Sequence, residues 1–124
     1  FKDNQEKIPD NVDSIDKKII NFFKEYYYQN LTEIIEYSKI YNSKIIFVTQ
    51  NVSNSHWLNK YIKIINSFTL NFCIINKVRC IDFENKSLKL TDDDFYDGIH
   101  TTPTGSKKIG KFVAKEFNNF NFKN

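Results

Sequence analysis

The chain has 124 residues, of which 40% are hydrophobic and 16% aromatic, and it carries a net charge of +3. This length fits one globular domain, and the hydrophobic content argues against a disordered chain. Charges of both signs are interspersed without basic blocks, which gives no indication of nucleic-acid binding, and no apolar run approaches the roughly 20 residues that span a bilayer.

The first predicted element is a helix, which Asp13 or Ser14 can cap. Apolar residues recur at steps of three and four over about residues 14 to 42, which predicts one long helix or two closely joined ones. The continuous β-branched and aromatic run from Ile45 to Val48 then predicts a strand that is covered on both faces.

The second half of the chain repeats this alternation. A helical pattern starts at His56, and a second strand is predicted from about Lys77 to Phe83. An acidic loop leads to Thr102, which can cap a last helix with Pro103 at its first position. The order of strand, helix and strand predicts a βαβ unit with a parallel sheet and a right-handed crossover.

Two strands cannot complete a sheet whose strands are buried on both faces. We therefore expect that further strands precede Phe1. The two cysteines, Cys73 and Cys80, lie in apolar stretches with no second pair nearby, so neither a zinc framework nor a disulfide scaffold is indicated. Buried free thiols are expected instead.

An Asp-x-x-His pair, Asp97 and His100, lies in the loop before the last helix. A histidine acts as general base for a hydroxyl nucleophile when a carboxylate accepts its second ring N–H and fixes the tautomer. The loop follows the carboxyl end of the second strand, where open α/β sheets hold their active sites. Position and chemistry agree with a catalytic pair. Taken by itself, however, an Asp-x-x-His spacing favours a helix-capping loop with an exposed histidine.

The segment "DGIHTTPTGSKKIGKFVAKEF" resembles the last conserved block of the SGNH (GDSL-type) hydrolases. Asp97, His100 and Gly105 match that block. Upstream, "YYYQNLTEIIEYSKIYNSKIIFVTQN" is similar to the helix and strand before the family's substrate loop, and "NKVRCIDF" to the strand before its closing block. The resemblance implies a three-layer α/β/α, flavodoxin-like parallel sheet, with residues 1–124 as the C-terminal portion of a single SGNH domain.

The family's nucleophile and oxyanion blocks have no counterpart in the sequence. All three glycines lie in the closing segment, so the chain contains neither Gly-Asp-Ser nor Gly-x-Asn-Asp. The resemblance therefore implies a hydrolase of ester bonds, an esterase, deacetylase or lipase-like enzyme, whose triad serine lies outside this chain. It implies no metal and no organic cofactor, and a substrate that is a small-molecule, carbohydrate or lipid ester. The chain alone is expected to be inactive.

Other interpretations stay open beside this one. Gln50 and Asn51 follow the first strand and are candidate substrate contacts, and a polar turn that ends the strand accounts for them equally well. The run Asp92 to Asp94 with the pair could suggest a metal site, but a solvated acidic loop is favoured because no ligand framework matches. At the level of function, a non-catalytic α/β binding module is the alternative. A flavodoxin-like nucleotide-binding module is disfavoured because no Gly-rich loop follows either strand.

Overall fold

The computed structural model describes residues 14–120. Asp13, one of the two expected helix caps, lies outside these residues. The chain divides between Lys44 and Ile45 into two compact units, the first of which contains one helix.

The first unit contains helix α1, Ser14–Ile40. This confirms the predicted helix and shows that it is one continuous element. Ring pairs one turn apart support it, with 5.0 Å between the ring centroids of Phe22 and Tyr26. The helix ends where Asn42 adopts a left-handed conformation at φ 49° and the N–H of Ser43 donates to Ser38 O at 2.8 Å. A left-handed residue at this position is a common helix stop.

The second unit holds the remaining elements in the predicted order: β1 (Ile46–Val48), α2 (Asn59–Asn76), β2 (Arg79–Ile81) and α3 (Pro103–Asn119). Strands β1 and β2 pair in parallel, with Ile46 opposite Arg79 and Val48 opposite Ile81. A helix joins the two parallel strands, so the predicted βαβ unit and the α/β class are confirmed. A short 3₁₀ turn, Asp92–Asp94, interrupts the acidic connection between β2 and α3.

The core of the second unit forms where α3 packs on the sheet. Ile81 of β2, Leu88 of the connection and Phe112 of α3 are all buried, and the rings of Phe83 and Phe112 lie 6.3 Å apart. Apolar residues pack around them: Ile46, Leu90, Ile109, Val113 and Phe120. This packing fixes α3 against the end of β2 and so positions the loop that precedes the helix.

Two expectations differ from the structure. Strand β1 was expected to be covered on both faces, whereas Val48 is 42% exposed and none of the three residues of the strand is buried. The expectation of free thiols is also wrong, because Cys73 and Cys80 form a disulfide. The chain reverses at Lys77, which is left-handed at φ 54°, and this reversal brings the end of α2 beside β2 with 6.1 Å between the two cysteine Cα atoms.

Helix α3 begins as predicted. Thr102 is extended, its hydroxyl accepts the N–H of Gly105 at 3.2 Å, and Pro103 occupies the first helical position. Gly105 is buried directly beneath the backbone carbonyl of Asp94, and a Cβ at this glycine would collide with that oxygen. The glycine of the closing block is therefore needed for the close approach of α3 to the acidic connection.

We expect the two glycines of α3 to respond oppositely to alanine. Gly105→Ala should lower the free energy of unfolding by about 1 to 3 kcal/mol, because the Asp94 backbone must move to admit the methyl group. Gly110→Ala should raise it by up to about 1 kcal/mol, since nothing lies within 4 Å of the added Cβ and alanine favours a helix interior. Urea unfolding of both variants measures the two changes, and equal effects would contradict the packing described for Gly105.

Candidate active site

The Asp97 and His100 side chains contact each other directly. The distance from His100 Nδ1 to Asp97 Oδ2 is 2.6 Å, and both residues are largely exposed. Because an ionised carboxylate can only accept hydrogen bonds, the proton lies on Nδ1 and the lone pair on Nε2. The free nitrogen is therefore the one that can accept a proton from a hydroxyl group.

The backbone holds this pair in one geometry. The second carboxylate oxygen of Asp97 accepts the N–H groups of Ile99 at 3.0 Å and of His100 at 2.8 Å. The N–H of Tyr96 donates to His100 O at 2.8 Å, so the loop closes into a tight turn. Gly98 lies in this turn with φ 86°, a backbone conformation that residues other than glycine rarely adopt. Both carboxylate oxygens are thus engaged, one by the backbone and one by the imidazole.

The same hydrogen bonds set the ionisation of Asp97. The backbone N–H of His100 is the largest cause, followed by its imidazole and by the N–H of Ile99, and together they hold the pKa of Asp97 well below its usual range. The carboxylate is therefore charged at neutral pH. It can orient the imidazole and stabilise the imidazolium that forms when Nε2 takes a proton.

The loop that follows β1 packs against this turn. The N–H of Ser53 donates to Gly98 O at 2.8 Å, and the ring of His56 occupies the space where a Cβ on Gly98 would lie. Ser53 Oγ donates in turn to Asp92 Oδ1 at 2.6 Å, and this bond is the main cause that lowers the pKa of Asp92. These contacts could not be predicted from the sequence, because they join residues about 40 positions apart.

No serine among residues 14–120 hydrogen-bonds the imidazole of His100. Ser53 is a buried serine that contacts the turn through its backbone N–H. Its single hydroxyl proton is donated to the carboxylate of Asp92. A hydroxyl bonded in this way is not activated by a histidine. The described residues thus contain an oriented imidazole and no serine hydroxyl bonded to it.

Asp94 anchors the other side of the turn. Its buried carboxylate accepts Lys108 Nζ at 2.7 Å and the N–H of Thr91 at 2.8 Å, while its carbonyl accepts the N–H of Thr102 at 2.8 Å. The Lys108 hydrogen bond is the largest cause that lowers the pKa of Asp94. One residue therefore ties the acidic connection to the start and the second turn of α3.

We expect Asp94→Asn to reduce the pH dependence of stability. The pKa of Asp94 in the folded chain lies below its ordinary value of 3.8, so its stabilisation is present above that value and is lost as the pH falls through the folded-state pKa. The gap in unfolding free energy between wild type and Asp94→Asn should therefore shrink from about pH 7 to about pH 2. Urea unfolding at both pH values measures it, with Asp93→Asn as the exposed control, and a constant gap would contradict the role of the Asp94 carboxylate.

Gln50 and Asn51, the predicted substrate contacts, line a cleft of about 250 Å³ beside the turn. Phe95 and Asp92 also line it, whereas Asp97 and His100 do not. Asn51 Nδ2 donates to Phe83 O at 3.0 Å, and the backbone N–H of Gln50 donates to the buried Asn66 at 2.8 Å. Both residues thus fix the loop after β1, and the Gln50 side chain is exposed at the cleft.

Two further findings concern ligands and membranes. Within residues 14–120, no three His, Cys, Asp or Glu side chains lie close enough together to hold a metal ion. None of the helices in that range is long and apolar enough to cross a membrane.

Comparison with known proteins shows which solved structures have a similar fold. No family model matches the sequence, and no curated protein matches it. Among solved structures, the chain is similar to a candidate acylhydrolase from Bacteroides fragilis, with TM-score 0.59, 18% identity, and coverage of 77% of this chain and 52% of that chain. It is also similar to a GDSL-like lipase from Bacteroides thetaiotaomicron, with TM-score 0.56, 15% identity, and coverage of 77% and 53%.

At these identities the likeness concerns the fold alone, and the chain spans about half the length of the two structures. The expected resemblance to GDSL-type proteins is confirmed at that level. The chain has an α/β fold, with parallel strands, of the kind found in GDSL-like hydrolases.

Proposed function

We propose that the chain is the C-terminal portion of an SGNH-type ester hydrolase domain with a three-layer α/β/α arrangement. In this proposal His100 is the general base and Asp97 is the residue that orients it. The triad serine and the oxyanion-hole groups come from a part of the protein outside these 124 residues. The substrate class is an acyl ester of a small molecule, carbohydrate or lipid.

The single observation that carries the proposal is the 2.6 Å contact between His100 Nδ1 and Asp97 Oδ2. Because it leaves Nε2 with its lone pair exposed, the imidazole can take a serine proton as the ester carbonyl is attacked. It can then return the proton to the leaving alcohol, and the resulting acyl-enzyme is hydrolysed by water through the same base. The charged Asp97 stabilises the imidazolium in both steps.

The fold likeness supports the proposal independently of the pair. The turn that carries His100 follows β2 and opens into α3, at the carboxyl edge where parallel sheets hold their sites. The second edge of β1, which is unpaired among residues 14–120, and the half-length coverage of the GDSL-like structures fit a sheet that is completed by other strands. Gln50 and Asn51, at the cleft beside the turn, are proposed as substrate contacts.

Covalent labelling of the full-length protein with a fluorophosphonate tests the nucleophile. We expect one serine to be labelled, to lie outside the 124 residues, and to lose its reactivity in His100→Gln. Peptide mass spectrometry identifies the labelled residue. A label on one of the chain's own serines would contradict the assignment of the nucleophile, and the absence of any label would favour a non-catalytic binding module.

A further inference from the structure

A groove of about 340 Å³ lies between α3 and the connection that follows β2. Four lysine side chains line it: Lys89, Lys108, Lys111 and Lys115. Leu88 and Phe112, both buried in the core, form its floor. Neither Asp97 nor His100 lines this groove, so it is distinct from the candidate active site.

Lysine side chains border the groove. Lys108 is neutralised by Asp94, with 2.7 Å between Nζ and the carboxylate. The other three lysines are exposed and form no ion pair or hydrogen bond with any of residues 14–120. None of the residues that line the groove is acidic. Three lysine side chains with no anionic partner among residues 14–120 therefore border one concave surface, whose inner lining is mostly apolar.

The placement of these lysines is unfavourable for the helix itself. Lys111 and Lys115 are four residues apart, so their charges lie on the same face of α3. Like charges at this spacing destabilise a helix, and Glu116 is the only acidic residue of α3. An anion between the two side chains would remove the repulsion.

We propose that this groove binds the phosphate or pyrophosphate group of a small molecule. Lysine ammonium groups on flexible stems are common phosphate ligands, and the volume suits a small molecule. A single-stranded nucleic acid is disfavoured because, among residues 14–120, the one aromatic ring that lines the groove, Phe112, is buried and cannot stack on a base. The phosphate group can belong to a soluble phosphoester or to a lipid headgroup, which share this chemistry. The proposal is independent of the hydrolase activity.

Titration calorimetry of the full-length protein with inorganic pyrophosphate tests the groove. We expect Lys111→Gln/Lys115→Gln to weaken binding about tenfold, the effect of removing two cations close to the anion. Lys18→Gln/Lys60→Gln removes the same charge from two exposed positions outside both the groove and the cleft, and should leave the affinity close to wild type. Added salt should weaken binding to the wild-type protein.

Sedimentation with vesicles of neutral lipid, with and without phosphatidic acid, separates the two sources of the phosphate group. Binding to the anionic vesicles that depends on Lys111 and Lys115 supports a lipid headgroup, and pyrophosphate binding without vesicle binding supports a soluble ligand. The proposal is overturned if neither probe binds. It is equally overturned if Lys18→Gln/Lys60→Gln loses as much affinity as the groove variant, because the effect would then follow from net charge alone.

Discussion

His100→Ala should lower kcat for ester hydrolysis by the full-length protein by about 10⁴-fold or more. The substitution removes the imidazole that hydrogen-bonds Asp97 Oδ2 and with it the proposed base for the serine proton. KM should change far less, because the exposed imidazole is not part of the cleft lined by Gln50 and Asn51. Steady-state hydrolysis of p-nitrophenyl acetate measures both constants.

Rescue by added imidazole separates a lost base from a misfolded protein. We expect free imidazole to restore part of the turnover of His100→Ala, because the side chain is exposed and its removal leaves an accessible space next to Asp97. The wild-type protein should show no such gain beyond the background reaction. Turnover of His100→Ala close to wild type without imidazole would contradict the assignment of the base.

Asp97→Asn should lower kcat by about 10³- to 10⁴-fold while the turn stays folded. The amide oxygen of Asn can still accept the N–H groups of Ile99 and His100, so its NH₂ group faces the imidazole. Nδ1 must then accept, the ring proton moves to Nε2, and the base is lost. Kinetics of the full-length protein measure the fall in kcat.

The ring nitrogen shifts of His100 report this change of tautomer directly. ¹⁵N NMR should show the proton on Nδ1 in the wild type and on Nε2 in Asp97→Asn. Asp93→Asn is the matched control, because Asp93 is exposed and lies in the neighbouring 3₁₀ turn. Unchanged ring shifts in Asp97→Asn would contradict the orienting role of Asp97, whatever the effect on rate.

The local parts of the fold could be predicted from the sequence because their signals are local. The periodicity of apolar residues predicted the helices seen in residues 14–120, and a continuous β-branched and aromatic run predicted β1. The Thr102 and Pro103 signals predicted the start of α3. Helix α2 begins at Asn59 rather than at His56, because the intervening residues form turns, with the N–H of His56 donating to Ser53 O and that of Asn59 to His56 O. Such turns have no periodicity that could separate them from a helix.

In the candidate site, too, the contacts between residues close in sequence were predictable and those between distant residues were not. The contact between Asp97 and His100 was predictable, because two residues three positions apart with a glycine between them can meet across a tight turn. The support from Ser53 and Asp92 was not, because it depends on how the loop after β1 packs on the turn. The disulfide was missed for a related reason: Cys73 and Cys80 approach each other only because the chain reverses at Lys77 and lays β2 beside α2.

Hydrolysis of p-nitrophenyl acetate by the full-length protein, beside the 124-residue chain alone, tests the central claim most directly. We predict turnover by the full-length protein and none above background by the chain alone, because the chain holds the oriented base without its nucleophile. Turnover by the chain alone at the full-length rate would contradict this account, since the nucleophile would then lie within the 124 residues.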